Sequence, residues 1–202
     1  HQGNEVEHLW ESLLECVSEQ NFLLVAFQVE DWNRDFSPWK ASAVFGKEDF
    51  VGQGAKTLKW LTEECVPYID RTFGAKDREH WLMGYSLAGL FALWTAYEND
   101  AFSGIICCSG SLWFPEWDHY MREHMLRSKC SVYLSLGGKE EKTRNKIMAV
   151  VGDRTKAQEE RLEEDPMVES VVLEWNAGGH FADAGKRLAK GVRWMFGAKN
   201  GL

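Results

Sequence analysis

The residues best able to do chemistry in this chain are a serine, a histidine and a pair of glutamates, each set beside glycine. Trp81-Leu82-Met83-Gly84-Tyr85-Ser86-Leu87-Ala88-Gly89-Leu90-Phe91 runs an apolar stretch into small residues around Ser86, then into a helical pattern. A serine on a tight strand-to-helix turn needs small neighbours, because bulky side chains would collide with the adjacent backbone. Such a turn lifts the hydroxyl above the carboxyl edge of a sheet. It also leaves the Leu87 N–H at a helix N-terminus, where the dipole favours negative charge and an oxyanion can be stabilised. A serine hydroxyl needs a base, and histidine is the usual one near neutral pH. Asn176-Ala177-Gly178-Gly179-His180-Phe181 offers His180 on a loop that two glycines allow to turn tightly. The base needs an acceptor to fix its tautomer, and Leu136-Gly137-Gly138-Lys139-Glu140-Glu141 offers two carboxylates. Spacing leaves Glu140 and Glu141 both open, beside a dyad without an acid or an acid elsewhere, such as Asp153 or Asp183. The chemistry these residues could do together is nucleophilic attack on a carbonyl.

Helical and strand patterns alternate along the chain that must hold these groups. Val6, Leu9, Trp10, Leu13, Leu14 and Val17 repeat at three and four residues and predict a helix over 4–20. The apolar run at 22–29 has the length and composition of a strand buried on both faces of a parallel sheet. Residues 30–54 read as a long irregular loop, of the kind that is usually functional. Helical spacing resumes at Ala55, Leu58, Leu61 and Cys65, with Pro67 expected to kink or restart the helix. Strands are expected at 81–85, 105–108, 131–136 and 171–175, with helices at 87–97, near 116–127, at about 143–163 and at the C-terminus. Five strands with intervening helices imply an α/β fold: a mainly parallel sheet between two helical layers. No repeat or low-complexity linker interrupts it, so residues 1–202 read as a single domain. Serine, acid and histidine follow one another in chain order, each after a strand.

Composition excludes several function classes. The 202 residues are 45% hydrophobic and 27% charged, which is neither disordered nor fibrous. A net charge of −8 repels phosphate backbones, so no nucleic-acid partner is expected. No stretch approaches the roughly 20 apolar residues of a membrane span. His1 to Glu7 lacks the basic and apolar regions of a secretory signal. The five cysteines are odd in number and mostly sit in apolar runs, which suggests buried, reduced thiols and a cytoplasmic location. No metal-ligand spacing is present, and His119 and His124, five residues apart, do not share a helical face. Neither a metal nor an organic cofactor is expected. Trp113 and Phe114, with Trp32 and Trp39 from the long loop, either line an acyl or alcohol pocket or pack the crown of the domain.

At these residues the chain resembles the putative-esterase family of α/β-hydrolases, the group of enterochelin esterase-like and S-formylglutathione hydrolase-like enzymes. Gly84-x-Ser86-x-Ala88-Gly89 looks like that family's nucleophile elbow. Ser109-Gly110-Ser111-Leu112-Trp113 looks like its loop after the next strand, and Gly178-Gly179-His180 like its histidine loop. The resemblance runs from about residue 22 to the C-terminus. It implies Ser86 as nucleophile, His180 as base and, three residues after Gly137, Glu140 as the acid. Alanine at position 88 replaces the usual glycine and is small enough to be tolerated. The resemblance also implies strands ahead of the first helix. We therefore expect one or more N-terminal strands to be missing, and with them a second oxyanion donor unless His1 to Gly3 supply part of it. An edge strand left open in this way would favour association, such as a homo-oligomer.

The resulting expectation is a serine esterase acting on a small-molecule ester. Ser86, His180 and Glu140 would be its triad, Leu87 its oxyanion donor, and Trp113 and Trp39 its substrate-contacting residues. An acyltransferase of the same fold, or a hydrolase-fold binding protein without turnover, are the alternatives.

Overall fold

The computed structural model describes residues 3–17 and 20–200. Its elements in chain order begin with α1 (Gly3–Val17), α2 (Trp32–Asp35), β1 (Lys40–Ala41), β2 (Phe50–Val51) and α3 (Gly54–Trp60). A π turn (Leu61–Cys65) then leads into α4 (Val66–Phe73). Next come β3 (Trp81–Tyr85), α5 (Leu87–Glu98), β4 (Gly104–Cys108), α6 (Trp117–Glu123) and β5 (Cys130–Gly137). A 3₁₀ turn (Met148–Val150), α7 (Val151–Glu163), β6 (Val168–Asn176) and α8 (Ala184–Asn200) complete the chain. Strands β3-β4-β5-β6 lie side by side in sequence order, and every pair is parallel.

The central strands are apolar on both faces because helices cover both. In β4, Ile105 and Cys107 point into one core with α5, while Ile106 and Cys108 point into the other with α1 and α8. In β5, Val132, Leu134 and Leu136 take the first side and Tyr133 the second, as the period of two requires. Helix α5 is buried from Leu87 to Tyr97, which its lack of a polar face dictates. Burying each such Leu or Ile is worth about 1.5–3 kcal/mol. Among polar groups, Trp117 Nε1 donates to Gln158 Oε1 at 3.0 Å, and Gln158 Nε2 donates to Tyr97 OH at 2.8 Å, tying α6, α7 and α5 together. None of the five cysteines forms a disulfide.

Among the described residues four strands, not five, form the parallel sheet. Residues 22–29, expected as a strand, form no regular secondary structure and belong to no ladder. Phe22, Leu24, Phe27 and Val29 are half-buried, whereas Leu23 and Val25 are exposed. The physical reason is the lack of a neighbouring backbone: a cavity of about 740 Å³ has both this segment and β3 residues Trp81 to Met83 in its walls. The 30–54 region is also more ordered than expected. It contains α2, capped by Asp31 through a hydrogen bond from the Arg34 N–H, and the antiparallel β1–β2 pair. The helix expected from 143 begins later. Asn145 Oδ1 accepts from the N–H groups of Ile147 and Met148, so the chain turns there before α7 starts at Val151. Pro67 lies in the first turn of α4, directly after the π turn. The missing N–H of proline is tolerated there.

Candidate active site

All the chemically able groups emerge from the carboxyl ends of the four parallel strands: Ser86 after β3, Ser109 and Ser111 after β4, Glu140 after β5 and His180 after β6. That edge is where ligands bind in open α/β sheets. Ser86 itself has φ 59° and ψ −124°, in left-handed space that L-residues rarely occupy. Hydrogen bonds hold it there from both sides. Its N–H donates to Cys108 O at 3.0 Å, and its carbonyl accepts from the N–H groups of Leu90 and Ser111, each at 3.0 Å. The turn needs glycine at 84. A Cβ there would stand 2.1 Å from the carbonyl oxygen of Ala88. Leu87 opens α5, and the first N–H groups of a helix have no partner within it, so its N–H is free of the helical ladder beside Ser86.

His180 bridges the other two groups. Its Nε2 lies 3.0 Å from Ser86 Oγ, and its Nδ1 lies 2.7 Å from Glu140 Oε2. Gly178, at φ 88°, makes the turn that brings the imidazole back over the sheet. Gly179 has open space around it, so only one of the two glycines is structurally required. The Glu140 side chain is 4% exposed and the imidazole 27%. Burial alone would push the Glu140 carboxyl up. Hydrogen bonds from His180, Ser109 and the Gly137 N–H outweigh it and hold the group below the usual carboxylate range. Glu140 is therefore an acceptor toward His180 Nδ1–H at neutral pH. Glu141 points elsewhere, its carboxylate lying against Gly152 of α7. Cys107 and Cys108, next to this edge, are completely buried, and burial holds both thiols far above the ordinary cysteine value. Neither competes as a nucleophile.

The aromatic residues singled out from the sequence form a packed crown. Trp113 is 8% exposed, with its ring 5.9 Å from Phe45 and 6.3 Å from Phe50. Trp39 stacks on Trp117 at 6.3 Å and donates from Nε1 to Pro115 O at 3.0 Å. Ser111, two residues before Trp113, places its Oγ 3.4 Å from Ser86 Oγ. Three participants carry roles that sequence reasoning did not assign: Tyr85, Arg187 and Ser109, the last seen only as part of the loop after β4. Tyr85 OH donates to His180 O at 2.7 Å, and Ser109 Oγ donates to Glu140 Oε1 at 2.7 Å. Arg187 Nη1 lies 2.8 Å from the same carboxylate oxygen. Arg187 had one signal in the sequence, a cation in the first turn of a helix, where the dipole disfavours it.

This arrangement can activate a hydroxyl, hold the resulting imidazolium and present an N–H to developing negative charge. Comparison with known proteins shows the family and the fold. Residues 4–195 match the model of the family described as "Putative esterase". No curated protein matches. Among solved structures, siderophore hydrolase EstA from Aspergillus nidulans is similar at 15% identity and TM-score 0.72, over 98% of this chain and 80% of that one. An IroE-like serine hydrolase from Shewanella oneidensis is similar at 16% identity and TM-score 0.78, over 96% of this chain and 67% of that one. BES protein from Bacillus cereus is similar at 21% identity and TM-score 0.62, over 86% and 68%. At these identities the likeness is one of fold.

Proposed function

The chain belongs to the putative-esterase family, and from that premise we propose that it is a serine hydrolase cleaving carboxylic esters through an acyl-enzyme intermediate. One observation carries the reading: the continuous hydrogen-bonded line from Ser86 Oγ through the imidazole to a buried, ionised Glu140. Ser86 Oγ attacks the ester carbonyl carbon as its proton passes to His180 Nε2. Glu140 keeps Nδ1 protonated, so Nε2 is free to accept, and it stabilises the imidazolium that results. The Leu87 N–H donates to the oxyanion. Collapse of the tetrahedral intermediate breaks the C–O bond, and His180 returns the proton to the departing alkoxide. Water, activated by the same imidazole, then adds to the acyl-enzyme and releases the acid. In this reading the acyl or alcohol group packs against the aromatic crown around Trp113 and Trp39.

The test is turnover of short-chain p-nitrophenyl esters by the wild type, Ser86→Ala and His180→Ala. Either substitution should lower kcat by about 10³-fold or more while leaving the domain folded. Wild-type turnover in either variant would refute the mechanism.

A further inference from the structure

The mechanism above leaves unused the most deeply buried charge among the described residues. Helix α8 opens Ala184-Gly185-Lys186-Arg187, and the Arg187 side chain is 1% exposed. A guanidinium at the positive end of a helix, out of water, is unfavourable unless it is paired and hydrogen-bonded. Its partners explain why it is there. Nη1 lies 2.8 Å from Glu140 Oε1, 2.8 Å from Ser109 Oγ and 3.1 Å from Tyr85 OH. Nη2 donates to Ala177 O at 3.1 Å and to Gly179 O at 2.9 Å. One planar fork thus reaches the ends of β3, β4 and β5 and the histidine loop on both sides of Gly178.

The division of labour on the carboxylate matters most. Oε1 receives Arg187, Ser109 and the Gly137 N–H, while Oε2 faces His180 Nδ1. With Oε1 pinned, the carboxylate cannot rotate, and its second oxygen is reserved for the imidazole. The two carbonyls held by Nη2 belong to the loop that ends in His180. Arginine suits this position because its donors are fixed in one plane; a lysine is a single point charge and cannot hold both groups in register.

We infer that Arg187 is a positioning residue: its guanidinium locks the Glu140 carboxylate and the 177–180 loop into one mutual geometry, which sets His180 Nε2 against Ser86 Oγ. The inference rests on the Ser86–His180–Glu140 reading, and it assigns a function to a residue that touches neither substrate nor nucleophile.

Two readouts test it on the full chain, with Arg187→Met and Arg187→Lys. The first is kcat per active site, with sites counted from the p-nitrophenol burst. The second is the low-field proton resonance of His180 Nδ1–H, assigned by its absence in His180→Ala. Arg187→Met should lose about 10²-fold in kcat per titrated site, with KM within about twofold, and should lose the resonance. Arg187→Lys should fall between, since it keeps a cation beside Glu140 but not the loop carbonyls. A purely structural role would lower the number of titratable sites without changing kcat at each. Folded variants with wild-type kcat per site and an unmoved resonance would overturn the inference. If Arg187→Met does not fold, the same outcome in Arg187→Lys overturns it. If the wild type shows the resonance but no Ser86-dependent turnover, the hydrolase reading falls alone, and the resonance in the variants still decides the role of Arg187.

Discussion

Gly84→Ala puts the geometry of the serine turn under direct strain. The new Cβ would stand 2.1 Å from Ala88 O, 2.3 Å from Ala88 C and 2.7 Å from Gly89 N. All three atoms are backbone of the first turn of α5, so no side chain can rotate out of the way. Restoring even a 3.0 Å contact requires β3 and α5 to separate by about 0.9 Å. Ser86 sits on the turn joining the two elements, and its Oγ begins 3.0 Å from His180 Nε2. A shift of that size takes the pair beyond hydrogen-bonding range, and misplacement by about 1 Å costs on the order of 10²-fold in rate. Overpacking of this kind destabilises by about 1–3 kcal/mol, which for a domain of this length is roughly 2–12 °C in Tm. The assay is the second-order rate of acylation by a fluorophosphonate, measured beside a thermal melt. Ala88→Gly is the control: it alters the residue whose backbone Gly84 faces, adds no volume and leaves the close backbone contact as it is. That variant should keep its acylation rate within about twofold and lose only about 1 kcal/mol through helix propensity. A Gly84→Ala protein with the wild-type rate and Tm would refute the close-approach argument.

The histidine loop gives a paired test. Gly178→Ala, at φ 88° and with its Cβ 2.7 Å from the Ala182 side chain, should lower turnover by 10-fold or more, whereas Gly179→Ala, in open space, should stay within about twofold; esterase kinetics on both variants check this. Glu140→Gln should reduce kcat by about 10³–10⁴-fold and destabilise by about 3–5 kcal/mol, because the buried Arg187 cation loses its carboxylate. Glu141→Gln should change neither in the same kinetic and denaturant-unfolding measurements. Stability should also follow pH through Glu140. Its folded-state value lies below the unfolded one, so its contribution is present above the ordinary carboxylate range and is lost as pH falls through the folded value. Between about pH 5 and pH 3 the unfolding free energy of the wild type should therefore fall more steeply than that of Glu140→Gln; equal slopes would contradict the assignment.

The sequence made the sheet legible wherever strands are covered on both sides. Gly104–Cys108 and Cys130–Gly137 announce themselves, because burial on two faces writes a run of apolar residues, whereas the less buried Trp81–Tyr85 and Val168–Asn176 show shorter apolar stretches. Residues 22–29 carry the same signature without the pairing, since a ladder depends on a neighbouring backbone that composition does not reveal. The helix start after Asn145 was hidden for a local reason: a side-chain acceptor competes with the helical ladder there. At the site, Ser86 and His180 were readable from their small neighbours and their place after strands. The choice between Glu140 and Glu141 was not, because two adjacent carboxylates in a turn differ only in which donors surround them. Three donors fix Glu140: the Gly137 N–H, Ser109 and Arg187. Arg187 itself escaped notice because a helical pattern counts an arginine as solvent-facing.

The central claim is that Ser86 is an activated nucleophile, and intact-mass analysis after fluorophosphonate treatment tests it most directly. The wild type should gain the mass of one adduct, and folded Ser86→Ala should gain none. An unlabelled but folded wild type, or an equal adduct on Ser86→Ala, would contradict the account.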